Sequence, residues 1–140
     1  MDYPKISKET MEACVLARKS LASSPLSAEI RALLDLAVSK VNNCLYCINV
    51  HTGEAKKASV SEEKIQSVLS LNFENNPIFT QKEILAFKYA IELTKLNGKP
   101  RIFETELNKH FSEREIVDIA FVVSMMNMFN RIAISMKSDS

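Results

Sequence analysis

The sequence predicts an all-α fold in a single domain over residues 1–140, and three observations predict it. Two glycines and four prolines in 140 residues are too few for the turns of an all-β chain. Apolar residues recur at spacings of three and four, the helical period, while no stretch shows sustained alternation. Thr80 with Glu83 and Ser112 with Glu115 place a hydroxyl and a glutamate three residues apart before apolar runs. This is the capping-box signature, in which each side chain satisfies a free backbone N–H of the first turn.

The elements follow in order. Residues 9–22 put Met11, Cys14, Val15 and Arg18 on one side of an amphipathic helix that the segment SSPLS breaks. Ser27 is placed to cap a second helix, with Glu29 in its first turn and Ile30, Leu33, Leu34, Ala37, Val38 and Val41 at helical spacing. Asn42-Asn43 interrupts it, since asparagine favours turns and caps, and a third helix is expected from there to about Ala58. Ser61, Glu62 and Glu63 mark a short helix carrying Ile65, Val68 and Leu69. The Thr80 box starts a helix expected to run to Leu96 and stop at Asn97-Gly98. After the connector KPRIF and a short helical stretch at LNKHF, the Ser112 box opens the longest apolar segment, up to Met136.

Composition narrows the function classes. Eighteen basic and 17 acidic residues leave a formal charge of +1, which advertises neither nucleic acid nor an anionic membrane as partner. No basic n-region leads into an apolar stretch at MDYPKISKE, so a cytoplasmic location is expected. The last segment contains Asp118, Asn127, Asn130 and Arg131, and its uninterrupted apolar run falls short of the ~20 residues of a bilayer span. It reads as a core or interface helix. Ile116, Ile119, Phe121, Val122, Val123, Met126 and Phe129 surround much of its circumference, which predicts a homo-oligomer.

The chemistry concentrates in NNCLYCINVH, residues 42–51. On a helix Cys44, Cys47 and His51 form one stripe. At the start of a helix, free N–H groups and the dipole favour a thiolate, and a neighbouring imidazole can take its proton. Such a thiolate attacks a peroxide, and a second cysteine one turn away resolves the sulfenic acid as a disulfide. A metal site and inert packing are the other readings of the same stripe. Zinc needs three or four ligands, and no second Cys or His cluster is available to complete them, so no metal and no cofactor are expected. Cys14 reads as a core residue, and His110 as a surface one.

The stretch IRALLDLAVSKVNNCLYCINVHTGEAKKASVSEEKI and the later NMFNRIA resemble the carboxymuconolactone decarboxylase and alkylhydroperoxidase D (AhpD)-like superfamily, in its peroxidase-related branch. The resemblance implies an AhpD-like helical fold assembled as trimers or hexamers. It also implies an antioxidant cycle in which Cys47 attacks a hydroperoxide, Cys44 resolves, and His51 relays the proton. The enzyme would be a dithiol peroxidase or a disulfide reductase, and its partner a dithiol reductant protein, thioredoxin-like or lipoyl-bearing. Where the family carries its relay glutamate, this chain has Ala32; Glu29 and Asp35, each three residues away, are candidate replacements, with Glu29 favoured for its place in the first turn. Tyr46, between the cysteines, is a candidate hydrogen-bond donor to them. The missing glutamate suggests a weaker peroxidase. It also lends weight to a protein that senses oxidation without turnover, while a lactone decarboxylase fits least because that branch does not depend on Cys-x-x-Cys.

Overall fold

The computed structural model describes residues 1–136, which among them form eight α-helices and no strand. They are α1 (Tyr3–Ile6), α2 (Lys8–Ser20), α3 (Ala28–Val41), α4 (Leu45–Lys57), α5 (Glu62–Leu69), α6 (Gln81–Thr94), α7 (Glu104–His110) and α8 (Glu113–Ser135), with 3-10 turns at Leu21–Ser23 and Pro100–Phe103.

Helix α3 is the axis of the molecule. Every residue from Ala32 to Ser39 is buried, because α4, α5, α6 and α8 all pack against it. A helix that is apolar on all sides satisfies itself only in such a position. Full burial of Leu33, Leu34 and Leu36 contributes about 1.5–3 kcal/mol each. Phe87 of α6 fills the far side of the core, with the rings of Phe73 and Phe79 edge-on at 5.2 and 5.3 Å.

The helix starts carry the caps that the sequence announces. Ser27 and Ser61 each accept a backbone N–H three residues on, and both capping boxes, at Thr80 and at Ser112, are complete. Three details differ from expectation. Helix α6 ends at Thr94, not Leu96: Lys95 is extended, while the Thr94 hydroxyl donates to the Ala90 carbonyl and accepts from Asn127 of α8. The connector KPRIF is itself a 3-10 turn, and residues 3–6 make a helical turn around Pro4, whose fixed φ suits a first turn.

Helices α1 and α2 are built differently from the rest, for neither has a buried residue. Cys14 is half-buried and free, not a core residue, because α2 lies on the body of the protein without entering it. Helix α8 is, among the described residues, the one long and apolar enough to cross a membrane by length and composition. It packs on α3 and α6 and carries the buried Asp118 and Asn130.

Candidate active site

The dithiol is positioned by a tight corner between α3 and α4. Asn43 takes a left-handed conformation (φ 53°), which asparagine tolerates better than most residues. The N–H of Asn43 bonds to the Lys40 carbonyl and that of Cys44 to the Ser39 carbonyl. Cys44 is thereby fixed as the N-cap of α4, one position ahead of the first turn, and its sulfur accepts from the Cys47 N–H at 3.4 Å. The two cysteines are joined in a disulfide with their Cα atoms 5.2 Å apart. Both are buried, at 2% and 4% exposure, with Ala133 of α8 packed against them.

The corner is locked from α8. Asn42 donates to the amide oxygens of Asn127 (2.9 Å) and Asn130 (3.0 Å), and Asn130 donates to the Ser39 hydroxyl (3.1 Å). NMFNRIA thus supplies the amides that hold the cysteine turn, a role its sequence does not disclose.

His51 lies one turn beyond Cys47 and is buried. Its Nδ1 is 2.8 Å from Glu54 Oε2, 3.5 Å from Arg18 Nη2 and 3.9 Å from Asp35 Oδ2. An arginine only donates and a carboxylate only accepts, so the shorter bond assigns the Nδ1 proton as a donor to Glu54. The lone pair is then on Nε2. The bond from His51 leads the effects that hold Glu54 down to about 2, with Arg18 adding to it.

Arg18 ties the group together. Its Nη1 and Nη2 bond both oxygens of Asp35, at 3.3 and 2.6 Å, and Nη2 reaches Glu54 at 3.0 Å. Burial pushes the Asp35 carboxyl above its ordinary value, and the bond from Arg18 works against that rise. For Arg18, burial lowers the pKa, but the two carboxylates outweigh it and the guanidinium stays firmly charged.

Asp35, His51 and Glu54 offer ligand atoms within 4.8 Å of one another, a set that could hold a metal ion. The Arg18 guanidinium lies against one atom of each. The positive charge that a metal would supply is already provided there by a side chain.

Of the residues expected from the sequence, the structure brings Cys44, Cys47, His51 and Asp35 together, and Tyr46 lines the same cleft. Glu29 is elsewhere: its carboxylate pairs with Lys64 of α5 at 2.8 Å, a lysine shared with Glu83. Ala32 is buried and brings no polar group. Sequence reasoning missed Arg18 and Glu54 as site residues. The signals available were a charged residue on the apolar side of α2, and a carboxylate three residues after the histidine on one helix.

A cleft of about 540 Å³ opens onto this group between the α1–α2 arm and helices α3, α4 and α8. Cys47, His51, Asp35, Glu54 and Arg18 line it, among apolar residues that include Val15, Leu21, Val50 and Phe129. Cys44 is not among its lining residues.

Comparison with known proteins finds similar sequences and a similar fold. The model of the carboxymuconolactone decarboxylase family matches residues 8–74, which contain α2 to α5 and the whole dithiol corner. The chain is 26% identical over 138 residues to the uncharacterized protein YdfG of Bacillus subtilis, covering 97% of this chain and 92% of that protein. It superposes with a TM-score of 0.88 on the crystal structure of an Agrobacterium tumefaciens protein of unknown function proposed as the antioxidant defence protein AhpD. That match has 29% identity and covers 99% of this chain and 95% of the other.

Proposed function

We propose that this chain, whose residues 8–74 match the carboxymuconolactone decarboxylase family and whose fold superposes on a protein proposed as AhpD, is a member of the carboxymuconolactone decarboxylase and AhpD-like superfamily and a dithiol peroxidase with an antioxidant role. The observation that carries the reading is the asymmetry of the pair: Cys47 lines the cleft beside His51, whereas Cys44 is enclosed behind it as the helix cap. An incoming hydroperoxide meets Cys47. The Cys47 proton passes to the free Nε2 of His51, whose other nitrogen is fixed by Glu54 and, through Arg18, by Asp35. Asp35 therefore serves in place of the glutamate missing at Ala32, as a positioning residue.

The thiolate attacks the distal peroxide oxygen, the O–O bond breaks, and the alcohol leaves with the proton, giving a sulfenic acid at Cys47. The Cys44 thiol displaces water from it and forms the disulfide. A dithiol reductant protein, thioredoxin-like or lipoyl-bearing, takes the oxidation onto its own pair and restores both thiols. Donors of this kind belong to a reducing compartment such as the cytoplasm.

A homo-oligomer, trimeric or hexameric, is part of the same proposal. Val117 and Phe121 on α8 and Leu45 on α4 are each at least half exposed, a pattern that subunit contact would cover. Sedimentation equilibrium at micromolar concentration should give a multiple of 15.8 kDa; the mass of one chain would remove this part.

Turnover tests the function. With excess hydroperoxide and a dithiol reductant, the protein should pass through many cycles. Cys47→Ser should abolish them, and Cys44→Ser should stop at a sulfenic acid trappable by dimedone. Consumption of one peroxide per chain with every reductant tried would favour the sensing protein instead. A trapped sulfenic acid in Cys47→Ser would exchange the two roles.

A further inference from the structure

Arg31 is a charged group in the cleft that the peroxidase cycle does not use. It lines the cavity, and its Nε is buried without a hydrogen-bond partner among the described residues. The acids nearest in sequence are committed elsewhere. Asp35, one turn on and on the same face of α3, has both oxygens bonded to Arg18, and Glu29 is held by Lys64. An arginine left in this position is at odds with the habit of buried polar groups, which find partners. A planar guanidinium is built for one partner above all, a carboxylate or a comparable anion. Lys19, exposed on α2, lines the same cleft and adds positive charge, whereas the Arg18 charge is already matched by Asp35 and Glu54.

The remaining walls are apolar. Met11, Val15, Leu21, Val122 and Phe129 contribute to them, and the volume of about 540 Å³ lies in the range of small-molecule sites. We propose that the cleft binds an amphipathic carboxylate, with the anionic head on Arg31 and the apolar body along the α2 and α8 side chains. With the peroxidase reading as premise, the substrate class is an apolar hydroperoxide bearing a carboxylate, such as a fatty-acid hydroperoxide. Its peroxide oxygen is presented to Cys47 while its head is held by α3.

Two measurements test this and keep the subsite apart from the peroxidase reading. The first is direct binding of decanoate and of methyl decanoate to the disulfide form by calorimetry, which needs no turnover. Decanoate should bind at least about 10-fold more tightly than the ester, and Arg31→Gln should remove the difference, as expected for loss of a charge-assisted bond. Arg31→Lys, which keeps the charge without the fork, should retain part of it. The second compares kcat/KM for linoleic acid hydroperoxide and its methyl ester, where the acid should be favoured on the order of 10-fold or more and the preference should collapse in Arg31→Gln. Equal binding of acid and ester by the unaltered protein would overturn the subsite, as would a preference that survives in Arg31→Gln. Decanoate binding that depends on Arg31, with no hydroperoxide turned over, would uphold the subsite and overturn the peroxidase reading alone.

Discussion

Two polar networks serve the dithiol, and they differ in kind. In the cleft, Arg18, Asp35, His51 and Glu54 exchange charge-assisted bonds, with Glu54 half exposed. At the α3–α4 corner, Ser39, Asn42, Asn127 and Asn130 exchange neutral amide and hydroxyl bonds, and Asn130 is fully buried. Neutral groups carry little desolvation cost once each is paired, so they suit a corner that must hold one geometry. Charged groups respond to protonation, and these surround the histidine next to Cys47. Under the proposed function, one network holds the dithiol and the other reacts with it, and mutation should separate the two.

The largest effect is expected in the cleft. In the proposed cycle His51 takes the Cys47 proton, so His51→Gln should lower kcat/KM for hydroperoxide by roughly 10²–10⁴-fold near neutral pH. The loss should shrink at alkaline pH, where the thiol ionises unaided, and thermal stability should change little. Stopped-flow peroxide consumption against pH checks this; a loss independent of pH would mean that His51 holds structure.

Next comes the corner. Asn130→Ala strips a partner from Asn42 and from Ser39 and leaves a small void, which should cost about 2–3 kcal/mol. Thermal unfolding should therefore shift down by roughly 5–10 °C, while kcat of the folded fraction stays within a few fold. A rate collapse at unchanged stability would erase the distinction between the networks.

The smallest effect is at Glu54. Its carboxyl is held at about 2, below its ordinary 4.5, with the bond from His51 as the largest cause. The folded state thus binds this proton more weakly than the unfolded chain. The resulting stability is complete above pH 4.5 and is lost as pH falls from there toward 2. With the side chain 48% exposed, solvent screening limits the contribution to about 1 kcal/mol. Glu54→Gln should show that deficit at pH 7 and converge on the parent protein near pH 2 in denaturant titrations. A deficit that persists at pH 2 would show that the carboxylate charge is not its source.

The features legible from the residues alone act over short range. Caps at Ser27, Ser61, Thr80 and Ser112 start helices where their hydroxyls meet the free N–H groups three residues on, and the spacing of three and four places Cys44, Cys47 and His51 together. These are properties of a turn or two of backbone, and periodicity reports them directly. The end of α6 was less legible, because Thr94 answers to Asn127, 33 residues away. Which carboxylate joins the candidate site depends on how the helices pack. Glu29 and Asp35 are equally close to Ala32 along the chain, but Lys64 of α5 claims the first and Arg18 of α2 the second. That packing also decides that Cys47 lines the cleft and Cys44 does not, since the cleft exists only once α2 lies across α3 and α4. Local sequence sets the direction in which a side chain leaves its helix; the partner it meets depends on which helices pack against it.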